Sequence, residues 1–120
     1  MRYLLLICDD EKQMLTATED QTNAMMEEWG KYTTELQGAG KMLGGERLRP
    51  SVDATTARKQ NGQVVLSDGP FAETKEQLGG YFVIESADLD EATKWAGKMP
   101  HLAYGGAVEV RPIWEMPGMM

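Results

Sequence analysis

The 120-residue chain predicts an α+β fold, a two-layer plait in which two helices cover one face of an antiparallel sheet. Three observations carry this reading. Two short runs, Tyr3 to Cys8 and Tyr81 to Ile84, are apolar on both sides, as central strands are. Two stretches with helical spacing alternate with strand-like segments in the order β-α-β, hairpin, β-α-β. One Asn-Gly pair, Asn61-Gly62, joins two strand-like runs as a tight hairpin turn does.

The first strand runs from Arg2 to Cys8 and stops at Asp9-Asp10. Residues 9–20 carry five acids against one Lys and read as a loop. Asp20 or Thr22 then caps a helix by accepting from first-turn amides. Met25, Trp29, Tyr32 and Leu36 follow at spacings of 4, 3 and 4, so they share one face, read as a core stripe rather than a cofactor platform. Gly30 inside this helix costs about 1 kcal/mol relative to Ala. Gly38 and Gly40 end it by taking the left-handed conformation. Lys41 to Leu48 is a weak strand in which Gly44-Gly45 marks a bulge or a close backbone approach.

Ala54–Gln60 and Gln63–Ser67 flank Asn61-Gly62, which favours a type I′ turn projecting from the body. Asp68 to Gly79 is a long connection with one helical turn at Thr74–Leu78. Gly80 to Ser86 is the central strand. The second helix begins near Asp88, with Glu91 as its capping-box partner, and buries Leu89, Ala92, Ala96 and Met99 before Pro100 stops it. His101 is expected at the surface of the following loop. The last strand, Ala107 to Ile113, places Val108 and Val110 on one side and Glu109 and Arg111 on the other. Because the helices cover one sheet face only, a second copy of the chain is the expected cover of the other, giving a homodimer.

Twelve basic against nineteen acidic residues leave a formal charge of −7. Such acidity argues against nucleic acid and against an anionic membrane surface as partners. The longest apolar run is too short to span a bilayer and lacks the flanks of a secretory signal, so the expected location is cytoplasmic. A single cysteine, Cys8, excludes an internal disulfide and reads as a small buried hydrophobe. No phosphate-cradling loop, paired Cys/His spacing or Ser-His-Asp set is present, so neither a cofactor nor a metal is expected.

Chemistry concentrates in Ser67-Asp68-Gly69-Pro70-Phe71-Ala72-Glu73-Thr74-Lys75-Glu76. Asp-Gly-Pro is a turn sequence, with the Asp carboxylate holding backbone amides and Pro fixing the exit. Asp68 beside an apolar Phe71 is also placed to act as a general acid or base, which makes it the candidate catalytic residue. Its carboxylate is then expected to face Arg111 or Lys75. Glu46, Arg47, Arg58 and Glu109 are further polar candidates. If Arg111 points into a dimer cleft it needs Asp68, Glu46, Glu73 or an anionic ligand as partner.

The string Ser67 to Tyr81, SDGPFAETKEQLGGY, closely resembles the signature of the YCII-related, DGPF-type family. Leu4–Ile7, Gly38–Leu48 and Glu109-Val110-Arg111-Pro112 resemble other strands of that family, so the likeness extends over the whole chain. The matching residues are Asp68, Gly69, Pro70, Phe71, Glu73, Lys75, Glu76, Gly79, Gly80 and Arg111. The resemblance implies a ferredoxin-like plait that pairs as a dimeric α+β barrel, in a bacterial protein. It also implies genes beside extracytoplasmic-function sigma factors, and no established reaction. The wider family's His-Asp pair does not carry over, because His101, the single histidine, precedes the last strand.

These readings lead to a small polar or anionic ligand bound in a dimer-associated cleft lined by the DGPF loop. Asp68, Gly69, Pro70, Phe71, Glu73, Lys75, Arg111 and Glu46 are its expected contacts. A regulatory module linked to a sigma factor is the alternative. A cofactor-free oxygenase of the barrel type is a third class, using Trp and Tyr to line an apolar cavity.

Overall fold

A computed structural model describes residues 1–118; Met119 and Met120 of the tail lie outside the described residues. The chain forms β1 (Arg2–Asp9), α1 (Glu11–Thr16), α2 (Glu19–Gly38), β2 (Met42–Arg47), β3 (Thr55–Gln60), β4 (Gln63–Asp68), β5 (Gln77–Glu85), α3 (Leu89–Gly97) and β6 (Ala107–Pro112). Short 3-10 turns lie at Ser51–Asp53 and Pro100–Tyr104. Four strands make one antiparallel sheet in the order β2-β5-β1-β6, the strand order of a ferredoxin-like plait. β3 and β4 form a separate two-stranded sheet.

Alternation along the central strands sorts their side chains. Tyr3 and Leu5 of β1 and Phe82 and Ile84 of β5 face the helices and are buried. They meet Tyr32 and Leu36 of α2, Ala92 and Ala96 of α3, and Met99. The Tyr32 hydroxyl donates to Trp95 O at 2.9 Å, which satisfies its polar end inside this apolar cluster. The opposite sheet face carries Leu4, Leu6, Tyr81 and Val83, set in register across β1 and β5, with Glu109 and Arg111 beside them on β6.

The Gly44-Gly45 expectation holds in both senses. The β2–β5 register shifts between Met42 and Gly44. A Cβ on Gly45 would stand 2.8 Å from both Phe82 Cδ1 and Tyr81 O. Asn61 (φ 52°) and Gly62 (φ 78°) both take the left-handed region that a type I′ turn requires.

Besides Leu89, which is 52% exposed rather than part of the buried α3 stripe, five local expectations are corrected. The 9–20 segment is not all loop: α1 occupies Glu11–Thr16 because the Asp10 carboxylate caps it by accepting from the Lys12 amide. The long helix starts earlier than Asp20 or Thr22. Thr18 is its cap, and Thr18 and Gln21 exchange both bonds of a capping box. Gly38 remains helical, and Gly40 alone of the two takes positive φ, at 71°. Thr74–Leu78 is not a helical turn, because β5 begins at Gln77 and pairs with Asp9.

His101 is the fifth correction. It is 2% exposed rather than a surface residue. Its ring stacks on Trp29 (centroids 5.4 Å apart, planes at 26°), and Nε2–H donates to Ala107 O at 2.8 Å. Gly106 makes room for it, since a Cβ there would run into the imidazole and stand 3.0 Å from His101 O.

A candidate ligand cleft beneath the first two helices

A cleft of about 710 Å³ opens on the helix side of the sheet, between α1, the first half of α2, and the β2–β5 edge. Two features of the sequence create it. The first half of α2 offers Ala24, Met25 and Met26 in place of branched packing residues, and the strands beneath offer Gly45 and Gly80, which have no side chains. A Cβ on Gly80 would stand 2.8 Å from Glu46 O, so the floor there is bare backbone drawn tight. Trp29 and Phe82 form an aromatic wall, near-parallel at 24° with centroids 6.4 Å apart. Met14, Met25, Met26 and Met42 supply soft, adaptable surface around it.

Most charged groups at the cleft are already engaged. The Glu11 carboxylate accepts from the Ser51 amide and hydroxyl, both at 2.6 Å, and so holds the 3-10 turn against α1. Gln77 Oε1 accepts from the Glu11 amide at 3.1 Å. Asp9 Oδ1 accepts from the Asp10 amide at 2.9 Å. Arg49 pairs with Asp53 at 2.9 Å. Arg47 differs: Nη1 donates to Met26 Sδ at 3.5 Å and Nη2 to Met14 Sδ at 3.7 Å. Thioether sulfur is a weak acceptor for a guanidinium fork. Among the described residues no carboxylate pairs with Arg47.

The expected site residues are spread out. Asp68 ends β4 opposite Thr55 and is exposed. Among the described residues its side chain makes neither a hydrogen bond nor an ion pair, and neither Arg111 nor Lys75 faces it in a salt bridge. Gly69 takes φ 94°; its amide donates to Ala54 O at 2.7 Å, and its carbonyl accepts from the Thr56 hydroxyl at 2.8 Å. The Phe71 carbonyl accepts from the Arg58 guanidinium at 3.0 Å while its ring is 79% exposed. Pro70, Glu73 and Lys75 are exposed. Gly69 and Phe71 thus brace the base of the hairpin, and within one chain none of residues 68–76 lines the cleft.

Glu46 borders the cleft, but it pairs with Tyr81 and so stands on the sheet face away from the helices. Arg111 lies on the opposite edge strand, 3.9 Å from Glu109. Three strand spacings separate those two edges, about 14 Å. Arg47, one of the further polar candidates, is the one the structure places at the cleft without an acidic partner. The sequence pattern hides Met14, Gln13 and Glu11, because six-residue α1 is too short to show a period, although Asp10 two residues before Lys12 is a capping signal. Met25 and Trp29 carry a double role: they lie on the expected core stripe, and they also wall the cleft. Cys8 is half-buried; loss of solvent pushes its thiol pKa up, and Glu109 and Glu76 add to the effect. Among the described residues no helix is long and apolar enough to cross a membrane.

Comparison with known proteins places this geometry. The chain superimposes with a TM-score of 0.52 on a 5-chloro-2-hydroxyhydroquinone dehydrochlorinase from Burkholderia phenoliruptrix AC1100, solved in complex with 2,5-dihydroxybenzoquinone. The match covers 96% of this chain and 94% of that one at 15% identity, a likeness of fold. An uncharacterized protein of Rhizobium meliloti (strain 1021) is 35% identical over 114 residues, which is 94% of this chain and 92% of that protein. The family model of the YCII-related domain matches residues 1–117. With the plait, the DGPF segment and this full-length match in agreement, the chain belongs to the YCII-related family.

Proposed function

We propose that this YCII-related protein binds a small polar or anionic organic molecule in the helix-side cleft and works as a homodimer. The observation that carries the reading is the cleft itself: about 710 Å³ walled by Trp29, Phe82 and methionines, with Arg47 at its edge bonded, among the described residues, to sulfur alone. Ligand sites combine a mostly apolar concavity of this size with a few oriented polar groups. The fold neighbour, captured with a small dihydroxyquinone, is compatible with such a ligand. The reading assigns binding and names no reaction.

The dimer rests on the sheet face opposite the helices. Leu4, Leu6, Tyr81 and Val83 there point away from the core cluster formed with α2 and α3, and a second copy is the cover that closes this face. The sigma-factor alternative draws on no residue of the structure.

The test is a melting series with 2,5-dihydroxybenzoquinone, benzoate and butyrate, read together with Trp fluorescence. A bound ligand at a hundred times its Kd stabilises by about 2.7 kcal/mol. Trp29→Phe should remove the fluorescence response. No melting shift with any of the three compounds would overturn the binding reading. Light scattering that gives a 13.3 kDa particle at micromolar concentration would overturn the dimer.

A further inference from the structure

The geometry points to a ligand class: we infer that the cleft selects a flat ring bearing one oxyanion, and that Arg47 is the residue that reads the anion. This deepens the binding reading above and rests on it.

Arg47 lacks an acidic partner among the described residues. A guanidinium presents five N–H donors in a planar fork matched to two oxygens of a carboxylate or enolate. Arg47 spends two of its donors on the sulfurs of Met14 and Met26, at 3.7 and 3.5 Å. Neither sulfur carries charge, so the cation is left without the acceptor it fits best. Arg49, two residues on, is by contrast consumed by Asp53 at 2.9 Å. The two methionines are 39% and 47% exposed and unbranched, so they can swing aside when an oxyanion arrives.

The ring half of the inference comes from the wall. Trp29 and Phe82 lie within 24° of parallel, and Trp29 also stacks on the buried His101 ring at 5.4 Å. His101 is fixed by its bond to Ala107 O, so the ring that stacks on Trp29 is itself held in place. Aligned aromatic faces over a glycine floor favour a planar guest over a bulky aliphatic one. Arg47 is exposed, and among the described residues it pairs with no carboxylate, so it accommodates one anionic group at the cleft's edge.

The experiment compares benzoate with its neutral isostere benzamide and its non-planar analogue cyclohexanecarboxylate, by calorimetric titration of the full chain. Wild type is expected to bind benzoate at least tenfold tighter than either analogue. In Arg47→Met the benzoate-to-benzamide ratio should fall to about one. In Arg47→Lys, which keeps the charge and loses the fork, it should be intermediate. Thermal melts of each variant without ligand report folding. Equal binding of benzoate and benzamide by the wild type, or a ratio unchanged in a folded Arg47→Met, would overturn the anion inference while leaving the cleft reading standing. Equal binding of benzoate and cyclohexanecarboxylate would overturn the ring. Absence of binding by all three, together with no melting shift from the dihydroxyquinone, would remove the cleft reading and this inference with it.

Discussion

The four-stranded plait and the β3–β4 hairpin are built on opposite terms. In the plait, Leu5, Leu36 and Ile84 are wholly buried among side chains from four elements. In the hairpin, Val64 and Leu66 are 65% and 66% exposed, and Phe71 in the loop beyond is 79% exposed. The hairpin is held by its own ladder and by the short contacts of Gly69 and Phe71 to β3 and the residue before it. An isolated two-stranded ribbon is marginal in water. The difference teaches that within one chain the shown contacts of the most conspicuous motif of the sequence, DGPFAETKE, are local: Gly69 and Phe71 tie it to β3 and to the residue before it. The cleft, in contrast, is assembled from residues scattered between positions 7 and 104.

The sharpest way to break this contrast is a matched pair of truncations. Leu36→Ala removes a fully buried side chain and should cost about 3 kcal/mol. Leu66→Ala, largely exposed, should stay within about 0.5 kcal/mol. Urea unfolding of both variants measures the gap. A large cost at Leu66, growing with protein concentration, would show the arm buried against a second copy.

Much of the plait was legible because period and burial agree there. The alternation of Tyr3 and Leu5 with Leu4 and Leu6, and the stripe of Tyr32 and Leu36, follow from one buried face per element. The Asn61-Gly62 turn was legible because few residue pairs accept two positive φ values. What stayed hidden depends on partners distant in sequence. The burial of His101 needs Trp29 on one side and a glycine at 106 on the other, neither of which a local window joins to it. The position of Arg47 depends on Met14 in a six-residue helix whose periodicity is too short to register. The DGPF segment drew the site expectation because it is dense in charge, yet charge density alone does not say which way a loop folds.

Within the hairpin the turn is the point of greatest leverage. Gly62→Val forces a β-branched residue to φ 78° and should destabilise by about 1–2 kcal/mol. The change should appear as faster amide exchange across β3 and β4 with the plait amides unaffected. Exchange that accelerates everywhere would mean that arm and plait unfold as one unit.

A smaller effect belongs to the plait's rim. Lys41 Nζ lies 2.8 Å from Glu91 Oε1, and this lysine is the main reason the Glu91 carboxyl titrates below its ordinary value. A depressed folded value means stability present above the unfolded value of about 4.5 and lost as pH falls through the lower folded one. Lys41→Met should therefore flatten the acid side of the stability curve slightly, and leave the hairpin's exchange rates alone. An unchanged acid limb in melts between pH 3 and pH 6 would detach the pair from stability altogether.

The smallest effect expected is also the one that decides between the two regions as homes of function. Asp68 is exposed, ends β4 opposite Thr55, and precedes Gly69 at φ 94°. Asn makes the same turn through the same side-chain acceptor, so Asp68→Asn removes a charge and little else. In the single chain no described cation touches that charge, so the change should stay within about 0.5 kcal/mol, with melts of variant and wild type overlapping at pH 4 and pH 7. Benzoate affinity should likewise be unmoved if Asp68 only shapes the arm. A loss of about 3 kcal/mol would mean that the carboxylate balances a cation buried on association, because removing one partner strands the other. A loss of benzoate affinity with folding intact would mean that the DGPF loop reaches a cleft after all, and across a dimer it would be the partner's.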